Sequence, residues 1–286
     1  MTDRSRLDGQ VALVTGGGGG IGRAIALALA AAGADVVVFD IIPERADEAA
    51  TRVAEFGRRG LAVPGDAMDS EALRQAIAKT DAEFGRLDIL VNNAGGVSAR
   101  PFLEQSERSW RRHIDINLVS MMAAIHAAAP VMIREGRGGV ILNVASIEAE
   151  RAAPNFAVYA ACKAGMVSFT KTMALELSEY GIRVNCVAPD HTVTPGTRGN
   201  RAGPVDPASW REPLPDAADA MNRLIPLGRE GIDSECGDAA VFLCSNMASY
   251  ITGVVLPVDG GTWAAGGWVR GRNEKWTLNE GLSFGP

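Results

Sequence analysis

The chain has 286 residues, 47% of them hydrophobic and 22% charged, and a formal net charge of -6. This composition excludes a disordered or fibrous protein, and the acidic balance argues against nucleic acid or an anionic membrane as a partner, because either would need a basic face. The length suits one large α/β domain. We therefore expect a single-domain globular protein with a small-molecule partner.

Short apolar runs rich in valine and isoleucine alternate with longer helical stretches along the chain. This is the pattern of a parallel sheet covered on both faces. The predicted strands are 11–14, 35–39, 61–63, 89–91, 140–144, 183–187 and 254–258. The predicted helices are 21–32, 45–56, 70–84, 107–134, 156–179 and 233–244. This order predicts a Rossmann-type α/β fold, with a doubly wound seven-stranded parallel sheet and helices on both faces.

One internal segment breaks this alternation. Residues 190–226 are rich in proline and glycine, and they have a clear helical period only over 216–224. A long segment of this kind is typical of a lid over a ligand crevice. We expect such a substrate lid within a domain of residues 1–262, with a disordered insertion as the alternative.

The C-terminal segment, residues 263–286, forms an aromatic tail after the domain. Glycines and polar residues separate its large aromatic side chains, so the tail cannot build a core of its own. It either docks on its own subunit or a neighbouring one, or it frays. The aromatic residues concerned are Trp263, Trp268, Trp276 and Phe284.

The first predicted strand runs directly into a glycine-rich loop, Thr15 to Gly22, and then into an alanine-rich helix. The backbone N–H groups of such a loop and helix N-terminus bind a pyrophosphate. The glycine spacings 16/20/22 and 17/19/22 both fit, so the pattern leaves the register open. Arg23 and Ala24 stand where a triphosphate-binding loop needs Lys followed by Ser or Thr, which argues against that class.

Asp40 ends the second predicted strand about 20 residues beyond the glycine loop, where a carboxylate accepts both ribose hydroxyls of a dinucleotide. The same carboxylate would repel a 2′-phosphate, so Asp40 predicts NAD as the cofactor. Arg45 is the nearest cation that could soften this repulsion.

Tyr159 and Lys163 are four residues apart in a predicted helix and therefore share one face of it. An ammonium beside a phenol favours the ionised phenol, so we expect Lys163 to lower the pKa of Tyr159 enough for proton transfer near neutral pH. Ser146, just after the fifth strand, can hydrogen-bond the same substrate oxygen. These residues predict a proton-transfer site beside the dinucleotide site.

The four cysteines have no CxxC spacing, and the three histidines are far apart in the sequence. Both observations predict reduced thiols and no metal site. No apolar signal core follows the N-terminal residues, and Asp35 breaks the apolar run 24–34 well before membrane-spanning length. We expect a cytoplasmic protein without a membrane partner.

Taken in order, these motifs resemble the short-chain dehydrogenase/reductase family, in its branch with TGxxxGxG and YxxxK motifs, over residues 9–261. The matching pieces are Thr15-Gly16-xxx-Gly20-Ile21-Gly22, Asn92-Asn93-Ala94-Gly95, Asn117, Ser146, Tyr159-xxx-Lys163 and Asn185-xxx-Pro189. The resemblance implies an NAD-dependent alcohol dehydrogenase or ketone reductase. In such an enzyme Tyr159 exchanges a proton with the substrate oxygen while hydride passes between the substrate carbon and the nicotinamide.

The resemblance also implies roles for individual residues. The implied catalytic residues are Asn117, Ser146, Tyr159 and Lys163, with Asn117 holding a water that relays protons to Lys163. The implied cofactor-binding residues are Gly16, Gly20, Ile21, Gly22, Asp40, Asp66, Ala67, Asn93, Ala94, Gly95, Tyr159, Lys163, Pro189, Thr192 and Thr194. Among them, Asp66 would meet the adenine and Thr194 the carboxamide. The candidate substrate contacts are Ser146, Glu148, Tyr159 and His191. Asp190 departs from the family, which has glycine after Pro189, and this bears on the turn and on the nicotinamide contact.

The substrate class stays open at this point, with a hydroxysteroid, a sugar or polyol, and a 3-oxoacyl group as candidates. A reductase of 3-oxoacyl thioesters is the alternative enzyme and would more often prefer NADPH. An alternative of another class is a non-catalytic nicotinamide-binding regulatory protein, which would not need the catalytic residues. The family commonly forms homotetramers through the helices that carry Asn117 and Tyr159, and we expect one here.

Overall fold

A computed structural model describes residues 3–134, 136–271 and 274–278. Its strands are β1 Val11–Thr15, β2 Asp35–Asp40, β3 Gly60–Pro64, β4 Ile89–Asn92, β5 Gly139–Val144, β6 Ile182–Pro189, β7 Thr192–Val193, β8 Gly231–Ile232, β9 Val255–Val258, β10 Val269–Arg270 and β11 Trp276–Thr277. Its α-helices are α1 Gly20–Ala32, α2 Pro43–Ala54, α3 Ser70–Phe84, α4 Glu107–Ile114, α5 Ser120–Ile133, α6 Ala157–Glu176, α7 Ala217–Leu224, α8 Asp233–Cys244 and α9 Thr262–Ala265. A π-helical turn, Asp115–Val119, joins α4 to α5. Short 3₁₀ turns lie at Phe102–Glu104, Ile147–Ala149, Ser178–Tyr180, Pro207–Ser209 and Asn246–Ala248.

Seven strands form one parallel sheet in the order β3-β2-β1-β4-β5-β6-β9. All the predicted strands and helices are present, with bounds that differ by a few residues at most. The chain changes direction across the sheet between β1 and β4, so the carboxyl ends of these strands border a crevice. The predicted single-domain, doubly wound α/β fold is confirmed.

Two apolar clusters cover the two faces of the sheet. One joins the sheet to α1, α2 and α8 and includes the fully buried Leu29 and Val53. The other joins it to α3, α5 and α6 and includes Met121 and Met166. Burial on both faces explains why the strands are continuous apolar runs rather than alternating ones. As the spacing predicts, the cysteines are free thiols, and all are buried: Cys162, Cys186, Cys236 and Cys244.

The predicted helix 107–134 is a continuous rod made of α4, the π-helical turn and α5. By length and composition alone, Glu107–Ile133 would be able to cross a membrane. Here α5 packs against α3 within the domain, and its Met121 and Ala128 are fully buried. The rod is therefore a packed helix of the domain.

Residues 190–226 carry secondary structure of their own. They start at the carboxyl end of β6, where β7 pairs in parallel with β8. Helix α7 spans the stretch for which the sequence predicts a helical period. Arg198 forms an ion pair of 2.7 Å with Glu230, which anchors the segment to the chain that follows it.

The aromatic tail docks on α7 of the same chain. β10 and β11 form an antiparallel pair, and Arg270 donates hydrogen bonds to Asn222 Oδ1 at 2.8 Å and to Pro226 O at 3.0 Å. The Arg270 guanidinium lies 5.2 Å from the centre of the Trp276 ring. Of the predicted tail aromatics, Phe284 lies outside the described residues.

Candidate active site

The glycine loop uses only some of its glycines for their conformational freedom. Gly16 and Gly20 have φ values of 62° and 52°, in the left-handed region that favours glycine. A Cβ at Gly22 would collide with the carbonyl oxygen of Gly16 and with the side chain of Asn93. The register is therefore 16/20/22. Helix α1 begins at Gly20, so the N–H groups of its first turn, which includes Ile21, are free for an anion.

Asp40 is buried beside this loop and has a fixed orientation. Its Oδ2 accepts a hydrogen bond from the N–H of Gly18, and its Oδ1 accepts one from the N–H of Ile42, both at 2.9 Å. The carboxylate therefore stands at the carboxyl end of β2, within reach of a ligand that follows the glycine loop.

Arg45 has a role that the sequence did not indicate. Its Nε donates to Gly203 O at 2.6 Å and its Nη2 to Asn200 O at 2.9 Å, so this buried side chain of α2 holds the 190–226 segment. Backbone carbonyls give no sequence signal, and only the position of Arg45 near Asp40 singled it out.

The end of β4 is tied to the glycine loop through Thr15 and Asn93. Thr15 Oγ1 accepts the N–H groups of Asn93 and Ala94, both at 3.1 Å. The Asn93 side chain donates to Thr15 O at 3.1 Å and to Gly16 O at 3.0 Å. Its amide and both backbone N–H groups are therefore engaged within the protein, which leaves the backbone carbonyls of Asn93 and Ala94 available to a cofactor.

Asp66 and Ala67 lie at the carboxyl end of β3, next to Asp40. The N–H of Gly65 donates to Asp40 O at 2.9 Å. Asp66 Oδ1 accepts the N–H of Met68 at 2.9 Å, while Ala67 is buried. The predicted adenine contacts and the predicted ribose contact thus share one end of the sheet.

Asn117 is fully buried in the π-helical turn. Its Nδ2 donates to Gly96 O at 2.8 Å and to His113 O at 3.0 Å, and its Oδ1 accepts the Gly96 N–H at 3.1 Å. The turn explains an asparagine inside a long helix, because the widened helix leaves backbone carbonyls to be satisfied by a side chain. A Cβ at Gly95 would lie 2.9 Å from Asn117 Oδ1 and 3.6 Å from Lys163 Nζ, so these groups are neighbours.

Ser146, Tyr159 and Lys163 converge at the carboxyl end of β5. Ser146 hydrogen-bonds the phenol of Tyr159 and accepts the N–H of Glu148 at 3.2 Å. Lys163 is buried, its Nζ donates to Val144 O at 2.8 Å, and it lies 5.6 Å from the centre of the Tyr159 ring. The structure brings together the three residues that the sequence predicted to act on one proton.

The expected lowering of the Tyr159 pKa is wrong. The pKa of Tyr159 is raised to about 12, mainly by burial, while the hydrogen bond from Ser146 lowers it and the charges of Glu148 and Asp190 add to the rise. Burial also lowers the pKa of Lys163 to about 8. A lysine that is itself driven toward neutrality is a weaker source of positive charge than the i, i+4 spacing suggested.

The loop after β6 contains the predicted nicotinamide contacts. Thr192 is buried in β7, and its Oγ1 donates to Asp190 O at 3.1 Å. Thr194 caps the next turn, because its Oγ1 accepts the N–H of Thr197 at 3.2 Å. A Cβ added at Gly20 would lie 3.1 Å from the Cβ of Thr194, so Thr194 faces the glycine loop. Pro189 ends β6 opposite Val258.

Four polar side chains, which we call the polar wall, lie beside Tyr159: Glu148, Arg151, Asp190 and His191. Arg151 Nη2 is 2.8 Å from Glu148 Oε1 and 3.4 Å from Asp190 Oδ2, and His191 Nε2 is 3.3 Å from the same Oδ2. The sequence singled out Glu148 and His191 but missed Arg151, for which the i, i+3 spacing from Glu148 was the available signal. In the part of the chain that the structure describes, no group of three or more His, Cys, Asp or Glu residues could hold a metal ion.

Comparisons with known proteins find oxidoreductases of similar sequence and fold. Residues 16–262 match the family described as enoyl-(acyl carrier protein) reductase. The chain is 36% identical over 259 residues to the 2-dehydro-3-deoxy-D-gluconate 5-dehydrogenase of Escherichia coli K12, which covers 91% of this chain and 97% of that protein. A 7α-hydroxysteroid dehydrogenase complexed with NADH and 7-oxo glycochenodeoxycholic acid superposes with a TM-score of 0.83 at 34% identity, over 91% of this chain and 97% of that one. A candidate 2-deoxy-D-gluconate 3-dehydrogenase from Agrobacterium tumefaciens with bound NADP superposes with a TM-score of 0.79 at 36% identity, over 92% and 100%. Similar proteins thus bind NAD(H) or NADP.

Proposed function

The chain belongs to the short-chain dehydrogenase/reductase family of oxidoreductases, and we propose that it interconverts a secondary alcohol and a ketone by hydride transfer with NAD as cofactor. The observation that carries this proposal is the convergence of Ser146, Tyr159 and Lys163 at the carboxyl end of β5. A proton donor, a hydrogen-bond donor and a cation at one point serve a reaction in which charge develops on a single oxygen.

The residues present fit a dinucleotide. The backbone of the glycine loop can be approached closely, because Gly16 and Gly20 have positive φ and no Cβ fits at Gly22. The first turn of α1 would hold the pyrophosphate and Asp40 the adenosine ribose. When bound, the nicotinamide supplies the hydride acceptor or donor.

Two observations support NAD over NADP. Asp40 is fixed by two backbone N–H groups at the site where a 2′-phosphate would sit, and like charges there repel. Arg45, the nearest cation, already donates to the carbonyls of Gly203 and Asn200. Its Nε and Nη2 are therefore not available for a bidentate contact with a 2′-phosphate.

The protein residues divide the proton chemistry among them. In ketone reduction Tyr159 donates its phenolic proton to the carbonyl oxygen, which Ser146 also hydrogen-bonds. In alcohol oxidation the hydroxyl proton passes to the Tyr159 oxygen, and the charged form of Lys163 favours the ionised phenol that this direction needs. Lys163 also holds the nicotinamide ribose, and Asn117 holds a water that relays protons to Lys163. The use of NAD favours oxidation in the cell.

The setting of the site supports three further parts of the proposal. Residues 190–226 act as a lid over the substrate, since Arg45 fastens them beside the glycine loop. The chain forms a homotetramer through the rod 107–133 and α6, which leave Val119 and Leu175 exposed. It works in the cytoplasm, where its four free thiols stay reduced.

A reductase of 3-oxoacyl thioesters is the second candidate, favoured by the 37% identity over 260 residues to the 3-oxoacyl-(acyl-carrier-protein) reductase of Thermotoga maritima. The non-catalytic regulatory protein is disfavoured, because a binding module has no need of the residues that converge around Tyr159. Substrate assays separate all three functions.

The test is NADH formation from NAD with steroid, sugar, aliphatic and 3-hydroxyacyl alcohols. We expect turnover that Tyr159→Phe lowers by about 10²- to 10⁴-fold, the usual contribution of a general acid or base. Tyr180→Phe, at an exposed tyrosine, is the matched control and should keep wild-type rates. NADP in place of NAD should be a markedly poorer cofactor. NAD binding without any turnover would instead support the regulatory protein.

A further inference from the structure

The polar wall lies beside Tyr159, and a substrate whose oxygen contacts the Tyr159 phenol would lie against it. The backbone of Glu148 donates to Ser146 Oγ, and the charges of Glu148 and Asp190 both act on the Tyr159 phenol. The wall therefore borders the reacting oxygen rather than a remote surface. The proton chemistry proposed above makes no use of Arg151 or Asp190.

The polar wall has hydrogen-bonding capacity to spare. Arg151 reaches Glu148 and Asp190 through Nη2 alone. Within residues 3–134, 136–271 and 274–278, its Nε and Nη1 donate to no protein atom. Glu148 likewise uses only Oε1 as a side-chain acceptor. With side chains only 34% and 20% exposed, these groups lose most of their water when the site closes, and a ligand must then replace it.

His191 carries the backbone strain of this wall. Its φ is 39°, a left-handed conformation that is uncommon for a residue with a side chain. The conformation is held by the N–H of Gly231, which donates to His191 O at 3.0 Å, and by the N–H of Asp190, which donates to Val258 O at 3.3 Å. Strain of this kind concentrates at functional sites, where the rest of the structure maintains it. Here it points the imidazole at Asp190.

The charges of the polar wall decide which substrates suit it. With both carboxylates ionised, one guanidinium and one imidazole leave the wall without net positive charge. It nevertheless offers N–H donors on Arg151 and carboxylate acceptors on Glu148 and Asp190 side by side. A hydroxyl group uses both kinds of partner at once, because it donates one hydrogen bond and accepts others.

On the basis of the function proposed above, we infer that the substrate is a neutral polyhydroxylated alcohol whose additional hydroxyl groups bind Arg151 and Glu148. A steroid would leave the polar groups of the wall unpaired next to hydrocarbon. A sugar acid would bring its carboxylate against Glu148 and Asp190. Arg151 is thus a specificity-determining residue.

The experiment compares alcohols of matched skeleton with NAD as the oxidant. The probes are cyclohexanol, cis-cyclohexane-1,2-diol and myo-inositol as a neutral series, quinate as a carboxylated ring polyol, sorbitol as an open-chain polyol, and a 3-hydroxysteroid. We expect kcat/KM for the best of the three neutral polyols to exceed that for cyclohexanol, quinate and the steroid by at least about tenfold. The reason is that polar groups left unpaired discriminate strongly against an analogue that lacks the additional hydroxyls.

Variants at Arg151 locate the effect. Arg151→Met should lower the ratio of polyol to cyclohexanol kcat/KM by at least about tenfold, mainly through KM, and Arg151→Lys should restore part of it. Arg74→Met, which removes an exposed pair with Glu71 on α3, is the matched control and should leave the ratio unchanged. A calorimetric titration of the enzyme–NADH complex with the preferred polyol should show binding that Arg151→Met weakens.

The outcomes separate the two proposals. Oxidation of cyclohexanol, the steroid or quinate as efficiently as the polyols would overturn the substrate class while keeping the dehydrogenase. An unchanged ratio in Arg151→Met would overturn the role of Arg151. If no alcohol is oxidised, the proposed function fails, and absence of polyol binding in the calorimetric titration would then overturn the inference as well.

Discussion

The glycine loop and the 190–226 segment border the same crevice, but they are held in different ways. The loop is tied to its neighbours by short bonds between the ends of adjacent strands, such as those from Asn93 to Thr15 and Gly16. The segment is held by arginines that reach backbone carbonyls from far along the chain, Arg45 from α2 and Arg270 from the tail. We call the glycine loop the rigid wall of the crevice, because it is bonded to the sheet. We call the 190–226 segment the fastened wall, because arginine side chains hold it in place.

This difference bears on how the site works. Bonds inside the packed sheet break only when the domain unfolds, whereas bonds made by a few arginine side chains to a long connecting segment can open locally at a small cost in free energy. With the proposed function, the cofactor side is then preorganised and the substrate side admits and releases ligands. Three substitutions test how sharp the division is.

The largest effect is expected at Gly22 in the rigid wall. In Gly22→Ala the new methyl group would collide with Gly16 O and the Asn93 side chain, and both are fixed by their mutual hydrogen bond. Overpacking of this kind lowers the free energy of unfolding by about 3 kcal/mol, and it should abolish NAD binding. Urea unfolding and calorimetric titration with NAD measure both effects.

Gly96→Ala is the control for this substitution, because a Cβ at Gly96 meets nothing within 4 Å. Its free energy of unfolding should change by less than about 1 kcal/mol. Wild-type stability and NAD affinity in Gly22→Ala would show that the rigid wall gives way, and the comparison between the two walls would fail.

The next effect, at Lys163, has the opposite sign. Burial lowers the pKa of Lys163 from 10.5 to about 8. The buried charge therefore lowers the free energy of unfolding at any pH at which Lys163 is protonated. The penalty is complete below about pH 8 and disappears as the pH rises toward 10.5, and it amounts to about 3 kcal/mol. Loss of the hydrogen bond to Val144 O offsets about 1 kcal/mol. Lys163→Met should therefore raise the free energy of unfolding at pH 7 by about 2 kcal/mol and lose activity.

Urea unfolding at pH 7 and pH 10 checks the sign, since the gain in Lys163→Met should shrink at the higher pH. Lys171→Met, at an exposed position of the same helix, should change stability by less than about 0.5 kcal/mol. A gain that grows with pH would contradict the assignment of Lys163 as a buried, destabilising charge.

The smallest effect is expected at Arg45 in the fastened wall. Arg45→Met removes the bonds to Gly203 O and Asn200 O, so opening of the segment should cost about 1–2 kcal/mol less. Amide hydrogen exchange across 198–211 should accelerate by about 5- to 30-fold while global unfolding changes little. Arg52→Met, an exposed residue of the same helix, should leave exchange as in the wild type, and equal rates in both variants would mean that Arg45 does not fasten the segment.

The rigid wall was also the part that the sequence could predict. Alternating apolar runs and helical stretches indicated every strand of the sheet, because burial on both faces imposes that pattern directly. The Tyr159–Lys163 spacing indicated a shared helix face in the same way. The glycine register stayed open, since it depends on φ at Gly16 and Gly20 and on space that only neighbouring strands define.

The remainder of the site depends on contacts that leave no pattern. Arg45 binds backbone carbonyls, which every residue has, so the sequence of residues 200–203 does not indicate the contact. The prediction of a lowered Tyr159 pKa was wrong, because i, i+4 spacing reports a neighbouring charge but not the loss of water around the phenol. Arg151 acquires its importance from Asp190, a residue far along the chain that the fold brings beside it.

Because of the π-helical turn at Asp115–Val119, deletion of one residue can damage the site without a change in helix content. Deleting one residue there would restore regular α-helical bonding through 107–133, and circular dichroism would report normal helix content. Each residue of an α-helix advances about 100° around the axis, so residues on one side of the deletion would rotate relative to the other. The Asn117 amide would turn away from Gly96 and His113. Single-codon deletions in this stretch should therefore be rare among functional copies of the gene even though they preserve the helix.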